Sequence, residues 1–120
     1  MLERIRDLHS CNFVHRDVKP DNFMFGYKEK TNKMHIIDFG IASKYYDSAT
    51  GHIAFEEKAS LTGTARFAST NAHKGFELSR RDDLLSIGHM MLYLWLGKLP
   101  WQNIPSGEGS KLHRMIGDMK

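Results

Sequence analysis

The chain has 120 residues, enough for one compact domain. Hydrophobic residues make up 41% and charged residues 26%, a globular composition that argues against wholesale disorder. The formal net charge of +3 suits an acidic or phosphorylated partner, but it is too small to indicate nucleic-acid binding by itself. Cys11 is the only cysteine, so no internal disulfide can form and a reducing compartment is expected.

Membrane insertion and secretion are not expected from the hydropathy pattern. The longest uninterrupted apolar run covers residues 90–96, far short of the roughly 20 residues that a bilayer span needs. The first residues mix charged and apolar side chains and have no signal-peptide core. The expected localisation is therefore cytoplasmic, with no membrane partner.

The first half of the chain predicts one helix and a hairpin. Leu2, Ile5 and Leu8 recur at helical spacing, which predicts a helix at the start. Short extended segments follow at residues 13–14, 23–25 and 34–37. The polar loop 27–33 makes the last two of these a predicted hairpin. Residues 40–75 show no sustained periodicity, and a segment of that length without regular structure indicates a functional role.

The second half predicts two helices. Ser79 and Asp82 form a capping-box-like start for a helix over residues 82–96, and Gly97 follows as a stop. Residues 90–96 are apolar on every face, which predicts a buried central helix. A final amphipathic helix is indicated by apolar residues at i, i+3, i+4 and i+7, namely Leu112, Met115, Ile116 and Met119.

Two motifs carry a chemical signal. Residues 15–22 read His-Arg-Asp-Val-Lys-Pro-Asp-Asn, and residues 38–40 read Asp-Phe-Gly. The first run matches the catalytic-loop pattern of protein kinases, with Val18 in place of the usual Leu, and the second matches their metal-binding triplet. The triplet alone is a weak signal. An eight-residue loop followed by a strand that ends in the triplet is a specific one.

The chemistry of phosphoryl transfer explains these residue types, because it needs an oriented hydroxyl and metal ions that bridge phosphate oxygens. Asp17 can accept the hydroxyl proton and orient the oxygen, and Lys19 is a point charge for the transferred phosphoryl group. Asn22 and Asp38 supply hard oxygen ligands for Mg²⁺. The predicted catalytic residues are therefore Asp17, Lys19 and Asn22. ATP and Mg²⁺ are the expected cofactors, contacted by Lys19, Asn22 and Asp38, with Asn22 and Asp38 as the metal ligands.

Three further segments resemble the casein kinase 1 family of serine/threonine protein kinases. Residues 61–73 read Leu-Thr-Gly-Thr-Ala-Arg-Phe-Ala-Ser-Thr-Asn-Ala-His, residues 79–84 read Ser-Arg-Arg-Asp-Asp-Leu, and residues 99–102 read Leu-Pro-Trp-Gln. Residues 68–71 stand where most kinases carry Ala-Pro-Glu, and their Ala-Ser-Thr-Asn is a mark of this family. The resemblance covers essentially the whole chain and implies transfer of the ATP γ-phosphoryl group to Ser or Thr of acidic or pre-phosphorylated proteins.

The resemblance also implies the fold and a substrate pocket. The expected fold is α+β and mainly α, with residues 1–120 forming the C-terminal lobe of a kinase domain. A short hairpin would carry the catalytic and metal-binding loops beside a buried central helix. Arg66 would line an anion pocket, which family members complete with a Gly after Pro-Trp-Gln and a Lys on the next helix. Here Asn103 holds the first place and Lys111 is the nearest lysine to the second. Asp83 aligns with a buried aspartate that ties down the catalytic loop.

Two functions remain open at this level. The 120 residues contain no Gly-rich phosphate loop and none of the strand lysine or partner glutamate of an N-terminal kinase lobe. We therefore expect little or no phosphotransfer from the chain alone, and an N-terminal lobe as its partner. The alternative is a non-catalytic module that binds phosphorylated or acidic proteins. A nucleic-acid binder ranks last, and the resemblance also allows a nuclear location.

Overall fold

The computed structural model describes residues 1–57, 60–102, 104 and 109–120. Its helices are Leu2–Ser10 (α1), Thr70–His73 (α2), Arg80–Leu96 (α3) and Ser110–Met119 (α4). Three antiparallel strand pairs join Phe13–Val14 (β1) to Ser43–Lys44 (β4), Phe23–Phe25 (β2) to Met34–Ile36 (β3), and Tyr46–Asp47 (β5) to Gly51–His52 (β6). The described part of the chain is thus a mixed α/β structure in which helices predominate.

None of the described helices combines the length and the hydrophobicity that a membrane span requires.

The hairpin predicted from the alternating apolar segments is confirmed as β2 and β3. Met24 faces His35 across the two strands, and the backbone N–H of Ile37 donates to the carbonyl of Asn22 at 3.0 Å. Asn22 directly precedes β2, and Asp38 follows Ile37. The strand pairing therefore brings the end of the catalytic loop next to the metal-binding triplet.

The start and stop signals of α3 act as the sequence predicts. The Asp82 carboxylate accepts the backbone N–H of Ser79 at 2.8 Å, and the hydroxyl of Ser69 donates to the same carboxylate at 2.7 Å. Gly97 ends the helix with φ of 72°, a left-handed conformation that costs glycine nothing. Asp82 thus fixes both the start of α3 and the residue that caps α2. The prediction that residues 40–75 lack regular structure is wrong in part, because they contain β4, β5, β6 and α2.

The core forms where the helices meet the loops. Its apolar side chains are almost fully buried, and each stabilises the fold by about 1.5–3 kcal/mol on burial. The main cluster consists of Ile5, Val18, Phe67, Ile87, Met90, Leu99, Trp101 and Ile116. A smaller cluster joins Ala68, Ala72 and Leu78. Because the main cluster joins Val18 of the catalytic loop to Ile87 and Met90 of α3, the core fixes the catalytic loop relative to α3.

The prediction that residues 90–96 form a buried central helix is wrong for most of them, since Met90 alone of these seven residues is buried. Ile87 and Met90 are buried, but Trp95 is 82% exposed and Met91 is 52% exposed. The face that carries Met91 and Trp95 has no cover among the described residues. A run of apolar residues shows that the side chains are hydrophobic. Whether they are buried depends on which other elements pack against the helix, and the local sequence does not specify those elements.

Close packing of α2 on α4 leads to a first prediction. A Cβ atom added at Gly117 would lie 2.7 Å from the Cβ of His73, closer than side-chain atoms pack. We expect Gly117→Ala to lower the free energy of unfolding by about 1–3 kcal/mol, because overpacking pushes the two helices apart. Urea denaturation of the variant and the wild type measures this difference.

Gly88→Ala is the matched control, since Gly88 also lies inside a helix. A Cβ atom there meets nothing within 4 Å. We expect this variant to gain up to about 1 kcal/mol from the higher helix propensity of alanine. If the two substitutions shifted stability in the same direction, the close approach of α2 and α4 would be wrong.

Candidate active site

Asp83 ties the catalytic loop to α3 from within the core. Its carboxylate is 1% exposed and accepts the backbone N–H groups of His15 at 2.8 Å and Arg16 at 2.9 Å. The Nε2 atom of His9 lies 2.8 Å from the same carboxylate, so α1 joins the arrangement. A buried carboxylate is tolerated only when its oxygens are hydrogen-bonded. These contacts meet that requirement and fix the backbone just before Asp17.

His15 links the catalytic loop to the segment that carries Asp38. Its Nδ1 atom accepts the backbone N–H of Asp17 at 3.3 Å, and its Nε2 atom lies 3.0 Å from the carbonyl of Ile37. In the neutral imidazole the proton therefore lies on Nε2, which donates to Ile37. The ring also packs on Phe39, with 5.5 Å between centroids. The orientation of His15 thus couples the two motifs.

The Asp17 carboxylate is held on both oxygens. Lys19 Nζ lies 2.6 Å from Oδ2, while the hydroxyl and the backbone N–H of Thr64 donate to Oδ1 at 2.6 and 2.8 Å. The side-chain amide of Asn22 donates to the Asp17 carbonyl at 2.8 Å. These contacts fix the orientation of the Asp17 carboxylate before any substrate binds.

The protonation of Asp17 and Lys19 follows from this pairing. Burial alone would raise the pKa of the Asp17 carboxyl, but the hydrogen bonds from Lys19 and Thr64 outweigh it and lower the pKa below its usual value. The hydrogen bond to Asp17 raises the pKa of Lys19 more than burial lowers it, and the charge of Asp38 adds to the increase. Both groups are charged at neutral pH. An ionised carboxylate can accept a hydroxyl proton, and an ammonium can bind phosphate oxygens.

Asn22 and Asp38 offer oxygen ligands that suit Mg²⁺. Because the amide nitrogen of the buried Asn22 donates to Asp17, its Oδ1 atom remains as an acceptor. Asp38 is exposed and has φ of 63°, in the left-handed region that aspartate tolerates better than most residues. The described residues contain no group of three or more His, Cys, Asp and Glu side chains placed to hold a metal. An amide oxygen and a carboxylate fit Mg²⁺, which keeps several waters and binds substrate phosphates.

The predicted anion pocket is only partly defined. Arg66 is exposed, and its guanidinium lies 5.7 Å from the ring centroid of Tyr93 and 5.9 Å from that of Phe67. Lys111 is exposed in the first turn of α4, and no described contact joins it to Arg66. Asn103 lies outside the described residues. Arg66 is therefore an accessible cation, and the rest of the pocket stays a prediction.

Two residues of the site were not singled out from the sequence. Thr64 reaches Asp17 because Gly63 turns with φ of 85° against the catalytic loop, where a Cβ atom would overlap the carbonyl of Arg16. The neighbouring Gly63 was the available signal for this close approach. His9 left no signal, because its partner Asp83 lies 74 positions further along the chain.

The comparison with known families agrees with this geometry. A family model described as the protein kinase domain matches residues 1–118. The match spans nearly the whole chain, which therefore belongs to the protein kinase family. The mixed α/β architecture fits a kinase domain, and protein kinases in general use ATP and Mg²⁺ to transfer a phosphoryl group.

The burial of Asp83 generates a second prediction. We expect Asp83→Ala to lower the free energy of unfolding by about 3 kcal/mol or more, because the amides of His15 and Arg16 lose their acceptor inside the protein. Guanidinium chloride denaturation followed by circular dichroism measures the loss.

Asp118→Ala serves as the comparison, because Asp118 is an exposed carboxylate in α4. Its effect should stay within about 0.5 kcal/mol of wild type. A loss of similar size in both variants would show that Asp83 does not anchor the catalytic loop.

Proposed function

We propose that this chain is the C-terminal lobe of a serine/threonine protein kinase similar to casein kinase 1. Its reaction transfers the γ-phosphoryl group of ATP to serine or threonine in acidic or phosphorylated proteins. The observation that carries the proposal is the ionised Asp17 carboxylate, which Lys19 and Thr64 hold beside Asn22. Membership of the protein kinase family supports the reaction class, and the resemblance of residues 61–73 supports the subfamily.

The chain's own residues have distinct tasks in this reaction. Asp17 orients the substrate hydroxyl and accepts its proton as the oxygen attacks the γ-phosphorus and the bond to the ADP oxygen breaks. Lys19 offsets negative charge on the transferred group. Asn22 and Asp38 would hold Mg²⁺, which would offset the negative charge of the phosphates when it is bound with ATP.

One feature supports serine or threonine as the acceptor. Lys19 follows the catalytic aspartate by two positions, a pattern that resembles serine/threonine kinases rather than tyrosine kinases. Thr64 connects the same aspartate and lysine, since its hydroxyl lies 2.6 Å from Asp17 and 3.3 Å from the Lys19 amine. This contact places the loop after Thr64 directly beside the reacting groups.

The position of Arg66 supports an acidic or phosphorylated substrate. It lies two residues after Thr64, is exposed, and makes no described contact with a carboxylate. A guanidinium binds carboxylate and phosphate oxygens with paired hydrogen bonds. An acidic side chain at Arg66 would hold a neighbouring serine or threonine near Asp17. An N-terminal lobe is the partner that would complete the ATP site, and a cytoplasmic or nuclear location follows from the resemblance.

The catalytic roles generate a third prediction. It is tested on the natural polypeptide and on variants of it expressed in the source organism. We expect Asp17→Asn to reduce kcat for an acidic serine peptide by about 10²–10⁴-fold, because an amide cannot accept the proton. Asp38→Asn should give a loss that excess Mg²⁺ partly restores, because the site loses a charged ligand. Incorporation of labelled phosphate measures both effects.

Asp47→Asn is the control, since Asp47 is a carboxylate in β5, away from the two motifs. Its rate should stay within about twofold of wild type. A wild-type protein without phosphotransfer, or an Asp17→Asn variant of normal rate, would refute the proposed reaction.

The substrate preference generates a fourth prediction. We expect Arg66→Ala to lower kcat/KM for an acidic or phosphorylated peptide by about 10–100-fold, because a charge-assisted contact is lost. The value for a neutral peptide of the same length should hardly change, and high salt should reduce the difference between the peptides.

Arg80→Ala provides a matched arginine control, because Arg80 is exposed and its guanidinium stacks on Tyr45 at 4.6 Å. Lys111→Ala tests the second predicted cation. If Arg66→Ala reduced the rates for acidic and neutral peptides equally, Arg66 would have no role in reading negative charge.

A further inference from the structure

The loop that follows Thr64 is held in an unusual way. Residues 65–68, called here the carbonyl loop, lie next to the site because Thr64 contacts Asp17. The indole N–H of Trp101 donates to the carbonyl of Arg66 at 2.8 Å. The Nδ1 atom of His89 lies 3.0 Å from the carbonyl of Phe67. The two middle carbonyls are thus bound by side chains that themselves pack together in the core.

Lys120 binds the two outer carbonyls. Its Nζ atom lies 2.8 Å from the carbonyl oxygen of Ala65, 2.6 Å from that of Ala68, and 3.1 Å from Nε2 of His73. An ammonium has three N–H donors and no acceptor, so each of these contacts receives one donor. The ammonium also lies 5.1 Å from the ring centroid of Trp101, within range of a cation–π interaction.

The protonation of His73 follows from this contact. Because an ammonium can only donate, Nε2 of His73 accepts, and the ring proton lies on Nδ1. Burial, with the charge of Lys120 as the next cause, lowers the pKa of His73 to about 4. The ring is therefore neutral at pH 7 and can serve as the third acceptor. Nε2 also lies 3.1 Å from the carbonyl oxygen of Ala65. In this tautomer that oxygen accepts its hydrogen bond from Lys120 and not from His73.

We propose that Lys120 and His73 are positioning residues that hold the carbonyl loop in the shape that presents Arg66 to substrate. The four loop residues form no helix or strand, so side-chain contacts must satisfy their carbonyls and fix the backbone. A loop fixed before binding lowers the entropic cost of recognition. The effect on substrate rests on the proposed kinase function, whereas the hold on the loop does not.

Lys120 is the member of this arrangement that can be removed with the least damage to the core. His89 and Trp101 pack against each other with 5.1 Å between ring centroids, and Trp101 is buried in the main cluster. Lys120 follows the last residue of α4 and belongs to neither of the two apolar clusters. Lys120→Met keeps the apolar stem and removes only the donors.

Amide hydrogen exchange tests the hold on the loop without any activity. The reporters are the N–H groups of Phe67 and Ala68, which donate to the Thr64 carbonyl at 3.0 and 2.9 Å. In the full chain, Lys120→Met should speed their exchange about tenfold or more, because a charged hydrogen-bond donor is lost. Lys120→Arg should restore most of the protection. Lys98→Met, at an exposed lysine outside the site, should change nothing.

Two outcomes of this experiment would overturn the inference. One is unchanged exchange at Phe67 and Ala68 in Lys120→Met. The other is an equal increase throughout α1 and α3, which would mean that Lys120 contributes only to global stability. Neither outcome depends on whether the protein transfers phosphate.

Peptide binding tests the consequence for substrate. A fluorescein-labelled serine peptide with flanking aspartates should bind Lys120→Met about tenfold more weakly than wild type, while kcat changes less than about twofold. Burial lowers the pKa of Lys120 to about 7, and the titratable side chains that interact with its charge are those of His73 and His89. Binding to wild type should therefore weaken as the pH rises through 7, because the third donor is lost. The Lys120→Met variant should lack this step.

The hold of Lys120 on the carbonyl loop and its effect on substrate binding can be refuted separately. If wild type neither binds nor phosphorylates the peptide, the proposed function is wrong and the exchange experiment alone decides the hold on the loop. If exchange changes but peptide affinity does not, Lys120 holds the loop without positioning it for substrate, and the proposal is overturned.

Discussion

The geometry of the site depends on one buried charge, the Asp83 carboxylate. Removing a carboxylate from water is costly, and the cost is offset here by the amides of His15 and Arg16 and by the imidazole of His9. These partners come from α1 and the catalytic loop, whereas Asp83 itself lies in α3. The requirement to satisfy one charge therefore joins three segments and sets the backbone direction from which Asp17 projects.

The second determinant of the site is the way in which residues 63–68 are fixed. Gly63 allows the backbone to approach the catalytic loop, and Thr64 then binds the carboxylate oxygen of Asp17 that Lys19 does not bind. Beyond Thr64, side chains from α3, the Trp101 turn and the end of α4 bind the carbonyls of residues 65–68. Side-chain hydrogen bonds thus satisfy the carbonyls of residues 65–68, as backbone hydrogen bonds between neighbouring strands satisfy the carbonyls of a sheet.

Local patterns predicted the local structure well. The hairpin of β2 and β3, the Ser79 start of α3 and its end at Gly97 all follow from signals within a few residues of each other. The burial of α3 was less predictable. Residues 90–96 are uniformly apolar, yet Trp95 is exposed because the described elements pack only on the other side of the helix. Periodicity identifies an apolar face, but the neighbour that covers it is a property of the assembled chain.

In the candidate site, too, some features follow from local sequence patterns and others only from the assembled chain. The sequence by itself determined which residues are the candidates for the reacting groups. Asp17, Lys19 and Asn22 occupy one short loop and Asp38 ends the next strand, at spacings that phosphoryl transfer explains. Only the tertiary structure decided their partners. Thr64 lies 47 positions from Asp17 and His9 lies 74 from Asp83. The Lys120 ammonium binds the carbonyls of Ala65 and Ala68 across separations of 55 and 52 positions. The physical reason is that spacing along the chain fixes neighbours within a loop or strand. Contacts between distant segments are selected instead by which buried charges and carbonyls must be satisfied once the chain is packed.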